Sequence, residues 1–165
     1  MAVTLTAQRL REVLDYNPGT GIFVWRVRPA DCVHIGDVAG GPNERGYWRI
    51  RVDGRRYRAS RLAWLYMTGA WPRAGIDHWD RVPGNNAWIN LREANQVQNG
   101  ANRGLAKNNT SGMKGVHRYN ENKWIVKFRA KGVYHYLGIF ECAGAAQAAY
   151  ALAAAKQSGE FARVR

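Results

Sequence analysis

The sequence predicts an α+β protein, and three observations predict it. Alternating apolar and polar residues flank the turn dipeptide Asp53-Gly54; apolar residues recur at helical spacing in separate short runs; and three strand-like segments precede one Ala-rich helix near the C-terminus. Seven Trp, eight Tyr and a hydrophobic content of 46% in 165 residues provide for a folded core and argue against wholesale disorder. That length allows one domain or two small ones. No apolar run approaches the roughly 20 residues of a membrane span, and the N-terminus has no signal-peptide pattern, so a soluble protein is expected.

Leu10, Val13 and Leu14 have helical spacing with Thr6 as a cap, so residues 6–16 read as a short amphipathic helix. The cluster Asn17-Pro18-Gly19-Thr20-Gly21 reads as a turn, followed by a strand at Ile22-Phe23-Val24-Trp25. Residues 28–46 read as a loop. Tyr47–Val52 and Arg55–Ala59 should pair across Asp53-Gly54, which suits a two-residue type I′ turn. In that register Arg51 faces Arg56 and Arg49 faces Arg58. All four then share one side, with Trp48, Ile50, Val52 and Tyr57 on the other. Like charges directly opposite one another repel, so such a face reads either as a seat for a phosphate backbone or as an ordinary solvated surface.

Ser60 is placed to cap a helix through Leu62, Leu65, Tyr66 and Met67 that ends at Gly69 and Pro72. The polar stretch 107–112 reads as a linker, dividing the chain into domains 1–106 and 113–165. Beyond it, Gly115–Arg118, Lys123–Ala130 and Val133–Phe140 read as strands, with a turn at Lys131-Gly132, and residues 142–158 as an Ala-rich helix ended by Gly159. Arg129 then faces Tyr134 and Lys127 faces Tyr136, while Val126, Phe128, Leu137 and Ile139 fall on the opposite side, covered by Ala145, Ala149, Leu152 and Ala153.

Charge narrows the partner. Twenty-five Lys and Arg against twelve Asp and Glu leave a net +13. Residues 1–70 carry eleven basic and six acidic groups, residues 71–105 four and three, and residues 106–165 ten and three. Such a basic surface favours a polyanion, because phosphate contacts release condensed counterions. Cys32 and Cys142 are too few for a zinc site and suit a reducing compartment, with Cys142 read as a small buried residue.

The near-neutral middle holds Gly75-Ile76-Asp77-His78, then Gly84-Asn85-Asn86, Asn90-Leu91-Arg92 and Asn99. Phosphodiester hydrolysis needs a base to activate water and a cation to neutralise developing charge. A neutral imidazole suits the first task, and an oxygen pair such as Asp plus Asn suits Mg²⁺, or Mn²⁺. Adjacent strand residues point to opposite sides, so Asp77 and His78 have different tasks. Asn95 and Asn102 share a helical face with Asn99 and are alternative ligands. Arg92 and Arg103 are candidates to grip a phosphate or to serve the solvated surface.

This ordered constellation resembles the HNH endonuclease family, the His-Me finger or ββα-metal nucleases, in its phage and intron-homing branch; Arg61-Leu62-Ala63-Trp64 and Gly69-Ala70-Trp71-Pro72 are similar too. Many relatives have His where this chain has Ser60. The resemblance implies His78 as general base, Asp77 and Asn99 as metal ligands, and Asn90 bracing the loop and orienting the histidine through a side-chain hydrogen bond. Residues 111–162 resemble the AP2 DNA-binding domain through Ser111-Gly112, Lys114-Gly115-Val116, Lys123-Trp124, Tyr136-Leu137-Gly138 and Ala148-Ala149-Tyr150. That resemblance implies DNA contacts from Lys114, His117, Tyr119, Lys127, Arg129, Tyr134 and Tyr136.

The expectation is therefore a ββα-metal nuclease core preceded by a small helix and hairpin region, plus a three-stranded antiparallel sheet packed on one helix. It would be a metal-dependent endonuclease acting on double-stranded DNA, a monomer or weak dimer without organic cofactor or membrane partner. Its expected place is the cytoplasm of a bacterial or phage-infected cell. The alternative is a catalytically inactive, sequence-specific DNA-binding protein.

Overall fold

The structure is a computed structural model that describes residues 4–106, 108–130 and 132–162. Among these residues it is a mixed α+β fold of four α-helices and several small antiparallel sheets, and contacts divide the chain into two compact units, Met1–Ala94 and Asn95–Arg165.

Thr6 caps helix α1 (Ala7–Val13), its Oγ1 accepting from the Arg9 amide at 3.1 Å. The helix stops short of residue 16. Leu14–Asn17 is instead strand β1, burying Leu14 and Tyr16 while Asp15 and Asn17 face out, and it pairs with β2 (Ile22–Trp25) so that Tyr16 opposes Phe23. The gain is burial of both Leu14 and Tyr16 on one sheet face, which a continued helix would split.

The expected loop contains the two-residue strand β3 (Gly41–Pro42), paired with β4 (Trp48–Val52). Between β4 and β5 (Arg55–Arg58), Asp53 and Gly54 both take positive φ, +45° and +79°, as a type I′ turn requires. Arg49 opposes Arg58 and Arg51 opposes Arg56, all four exposed, with Ile50 and Val52 buried behind them. Arg9 clamps the turn with hydrogen bonds to both Asp53 oxygens at 3.1 and 3.0 Å.

Helix α2 (Ala59–Thr68) starts one residue before the expected cap: Arg58 holds the N-cap position without a side-chain bond, and Ser60 is buried inside the helix. Gly69, at φ +78°, ends it. The first unit's core gathers Leu10, Val13, Leu14, Phe23, Ile50, Val52, Leu62 and Leu65. Phe23 lies 4.6 Å from the Tyr16 ring and 6.3 Å from Tyr66 of α2, joining the N-terminal hairpin to the helix.

Strand β6 (Gly75–His78) pairs with β7 (Leu91–Ala94), setting Asp77 opposite Arg92 and His78 opposite Leu91. Helix α3 (Gln96–Ala101) follows, opened by a capping box between Asn95 and Gln98. Chain order in this region is thus β–β–α. The contacts group α3 with the second unit, where it meets the 3₁₀ turn Gly159–Phe161.

In that unit β8 (Val116–Arg118), β9 (Trp124–Ala130) and β10 (Val133–Phe140) form a sheet in the order β10-β9-β8. Lys107 of the expected linker and Lys131 of the expected turn lie outside the described residues. Asn109–Gly112 is knitted to the sheet, with Ser111 Oγ donating to the Val116 carbonyl at 2.6 Å and Asn109 Oδ1 accepting from the Gly112 amide at 2.8 Å. Tyr134 opposes Arg129 and Tyr136 opposes Lys127. A bulge between Tyr136 and Gly138 shifts the alternation, so Ile139 is exposed opposite Ile125 and Phe140 packs inward instead. Helix α4 (Ala143–Ser158) buries Ala146, Tyr150 and Ala154 rather than the expected alanines, and Leu152 faces solvent. Cys142 is exposed, its Sγ accepting from the Ala145 amide at the N-cap.

Because Phe23 is 1% exposed and joins hairpin to helix, Phe23→Ala should cost about 3–5 kcal/mol in chemical denaturation, with an unchanged denaturant slope.

Candidate active site

Strand β6 delivers two consecutive buried polar residues, Asp77 at 5% exposure and His78 at 6%. Burial of such groups is costly unless each is hydrogen-bonded, and here each is. Asn86, itself buried, donates its Nδ2 to the Gly84 carbonyl at 3.1 Å, which turns its Oδ1 toward His78 Nε2 at 3.2 Å. Because an amide oxygen can only accept, a ring proton on Nε2 completes this contact.

The role expected of Asn90 divides in two. It does brace the loop: its Nδ2 donates to Asp80 Oδ1 at 3.0 Å and to the Asn85 carbonyl at 2.8 Å, and its Oδ1 accepts from the Asp80 amide at 3.0 Å. The side-chain hydrogen bond to His78 comes from Asn86 instead, since Asn90 spends its amide on closing residues 80–90. Burial raises the Asp80 carboxyl, but hydrogen bonds from the Val82 amide, Asn85 and Asn90, together with the charge of His78, outweigh it and hold the group below the usual carboxylate range.

Arg92 is turned inward. Its Nε and Nη2 both donate to Asp77 Oδ2, at 3.0 and 2.9 Å, and its guanidinium carbon lies 4.4 Å from the centre of the Trp79 ring. The cross-strand register explains the pair, because it sets the two residues opposite one another. Asn99 sits exposed on α3 in the second unit, with Asn95 used as that helix's cap and Asn102 buried.

Among the described residues no group of three or more His, Cys, Asp or Glu could hold a metal ion. A cation beside His78 would rest on the Asp77 carboxylate with amide oxygens and water. Hard, sparse oxygen donation of that kind fits Mg²⁺.

Arg49, Arg51, Arg56 and Arg58 of β4 and β5, with Arg45 and Tyr47, line a cleft of about 710 Å³. Arg58 lies 4.8 Å from the Tyr47 ring centre, and that ring lies 6.2 Å from the His78 ring. The cationic cleft thus borders the histidine, a continuity that strand alternation alone did not reveal. Asn86, Tyr47 and Asp80 are the residues missed from the sequence. The doublet Asn85-Asn86 was visible there, but nothing in its spacing said which amide would face the ring.

In the second unit Lys127, Arg129, Tyr134 and Tyr136 are exposed on one sheet face, with His117 on the same side opposite Ile125, and Tyr119 exposed beyond β8. Lys114 does not join them: its ammonium donates to the carbonyls of Ala101 and Arg103 at 2.6 and 2.7 Å, near the end of α3.

The depressed Asp80 carboxyl contributes stability that is fully present above its unfolded value, near 3.8, and is lost as pH falls through the lower folded value. The melting temperature of Asp80→Asn should accordingly lie below wild type at pH 6, with the gap narrowing as the pH falls below about 4 in paired thermal melts. A gap independent of pH would assign Asp80 a purely neutral role.

No helix among the described residues is long and apolar enough to cross a membrane. Comparison of the chain with curated proteins and with solved structures gave no match. Residues 57–101, from β5 through β6 and β7 to α3, match the family of HNH endonucleases, which supports that family and a nuclease-type activity for this region.

Proposed function

We propose that the chain is a metal-dependent DNA endonuclease in which His78 is the general base. The observation that carries this reading is the buried His78 ring, in contact through Nε2 with Asn86, following Asp77 on the strand and at the border of an arginine-lined cleft. The His78 imidazole takes a proton from a water molecule as that water attacks phosphorus. The bond from phosphorus to the 3′-oxygen breaks, and the electron pair leaves with that oxygen. A divalent cation, Mg²⁺ or Mn²⁺, when bound supplies charge neutralisation at the phosphate and the leaving oxygen. Asp77 and Asn99 are the proposed ligands, and Asn90 keeps the loop closed around the base. Arg92 steadies Asp77 in this reading rather than gripping DNA.

Arg49, Arg51, Arg56 and Arg58 would hold the phosphate backbone next to the base. The exposed face of Lys127, Arg129, Tyr134, Tyr136 and His117, with Tyr119, would bind double-stranded DNA as an AP2-like sheet, its arginine and lysine on phosphates or guanine edges. The Arg92–Asp77 ion pair favours one competing reading, a catalytically inactive sequence-specific DNA-binding protein, because a guanidinium already satisfies the carboxylate a cation would need.

Incubating supercoiled plasmid with the chain separates the two. Conversion to open-circle or linear DNA with Mg²⁺, blocked by EDTA and reduced by about 10²-fold or more in His78→Ala, is the expected outcome. Tight, salt-sensitive binding with no cleavage of a plasmid bearing the selected binding site would favour the inactive protein.

A further inference from the structure

Tyr16, Pro18 and Gly21 of the N-terminal hairpin all engage one short stretch of the site loop. The Tyr16 hydroxyl donates to the Asn86 carbonyl at 2.7 Å. The Pro18 carbonyl accepts from the Trp88 amide at 2.8 Å. Gly21, at φ +74°, approaches so closely that a Cβ would lie 2.2 Å from the Asn86 carbonyl carbon and 2.3 Å from the Ala87 nitrogen. These three contacts fall on Asn86–Trp88, and Asn86 is the residue whose side chain faces His78 Nε2.

We propose that this hairpin is a positioning element for the histidine: Tyr16 and Gly21 fix the Asn86 backbone, Pro18 anchors the following Trp88, and Asn86 fixes the ring angle and the Nε2–H tautomer of His78. The physical case rests on burial and stiffness. Tyr16 is 4% exposed and Asn86 3%, so neither group has water as a ready alternative partner. Burial pushes the Tyr16 hydroxyl up to about 12, so it remains a donor throughout the neutral range. The turn at 17–21 is itself rigid, with Asn17 Oδ1 accepting from the Gly19 and Thr20 amides at 2.9 and 3.1 Å. Only glycine permits the close approach at position 21, because any larger residue would collide with backbone rather than with a side chain that could swing away. Tyr16 and Gly21 meet Asn86 itself, and Pro18 anchors the chain two residues on, at Trp88. Residues of the N-terminal hairpin thereby acquire a task beyond completing a core.

The catalytic consequence depends on the nuclease reading above, whereas the state of the ring does not, and the experiment reads both. In the full chain labelled with ¹⁵N histidine, with His78→Gln used to assign the signal, the exchange rate of the His78 Nε2–H proton with water is measured at pH 8. Wild type should show a protected proton. Asn86→Ala and Gly21→Ala should speed its exchange about tenfold, and Tyr16→Phe, which removes a single hydroxyl, about fivefold. On plasmid the same variants should lower kcat by similar factors with KM changed less than about twofold, the signature of a displaced base rather than lost DNA affinity. Tyr16→Phe folding normally with both the exchange rate and kcat within about twofold of wild type would overturn the proposal, as would unaltered exchange in Asn86→Ala. Altered exchange in a chain that cuts no DNA would uphold the brace and count against the nuclease reading alone.

Discussion

The hydrogen bond between Asn86 Oδ1 and His78 Nε2 is the contact on which the first unit converges. A buried imidazole without a partner would be costly, whereas this one meets an amide oxygen at Nε2. Its acceptor is oriented by Gly84 on one side and by the N-terminal hairpin on the other. The loop between β6 and β7 is closed separately by Asn90, Asp80 and Asn85, so the histidine's surroundings are held by two networks meeting at adjacent residues. Such redundancy is what a site built on a loop needs in order to keep its geometry.

Electrostatics complements this arrangement. In the proposed reading a phosphodiester brings negative charge to a site that contains a carboxylate, and the neighbouring arginines offset that. Arg92 neutralises Asp77 directly, and the β4–β5 arginines stand exposed in a cleft whose Tyr47 reaches the histidine ring. The near-neutral stretch 71–105, which holds the proposed site, is flanked in sequence by basic segments suited to a polyanion.

Much of this was legible in the sequence wherever local rules act strongly. Asp53-Gly54 determines both the turn and the register of the arginines, because few other pairs accept positive φ at two consecutive positions. Asp77, His78 and Asn90 stood out by residue type and order. What escaped was what depends on tertiary contact. The hairpin at 14–25 was half hidden because Leu10, Val13 and Leu14 also satisfy a helical period. The inward face of α4 was misplaced by one residue, because a run of alanines carries almost no amphipathic signal and Tyr150 alone decides it. Ile139 was sent to the wrong side by a bulge that only the paired strands reveal. Lys114 and Arg92 read as cations for DNA, yet each has partners within the protein that alternation and charge counting cannot foresee. Asn86 was passed over because an amide in a loop has no spacing rule to mark its target.

The central claim is that His78 activates water against a phosphodiester whose 3′-oxygen departs, and its most direct test is isotopic. DNA cleaved by the chain with Mg²⁺ in ¹⁸O-labelled water should yield 5′-phosphate ends carrying one ¹⁸O atom and unlabelled 3′-hydroxyl ends, as read by mass spectrometry. Labelled 3′-phosphate ends would contradict the account, as would label incorporation at an undiminished rate in His78→Ala.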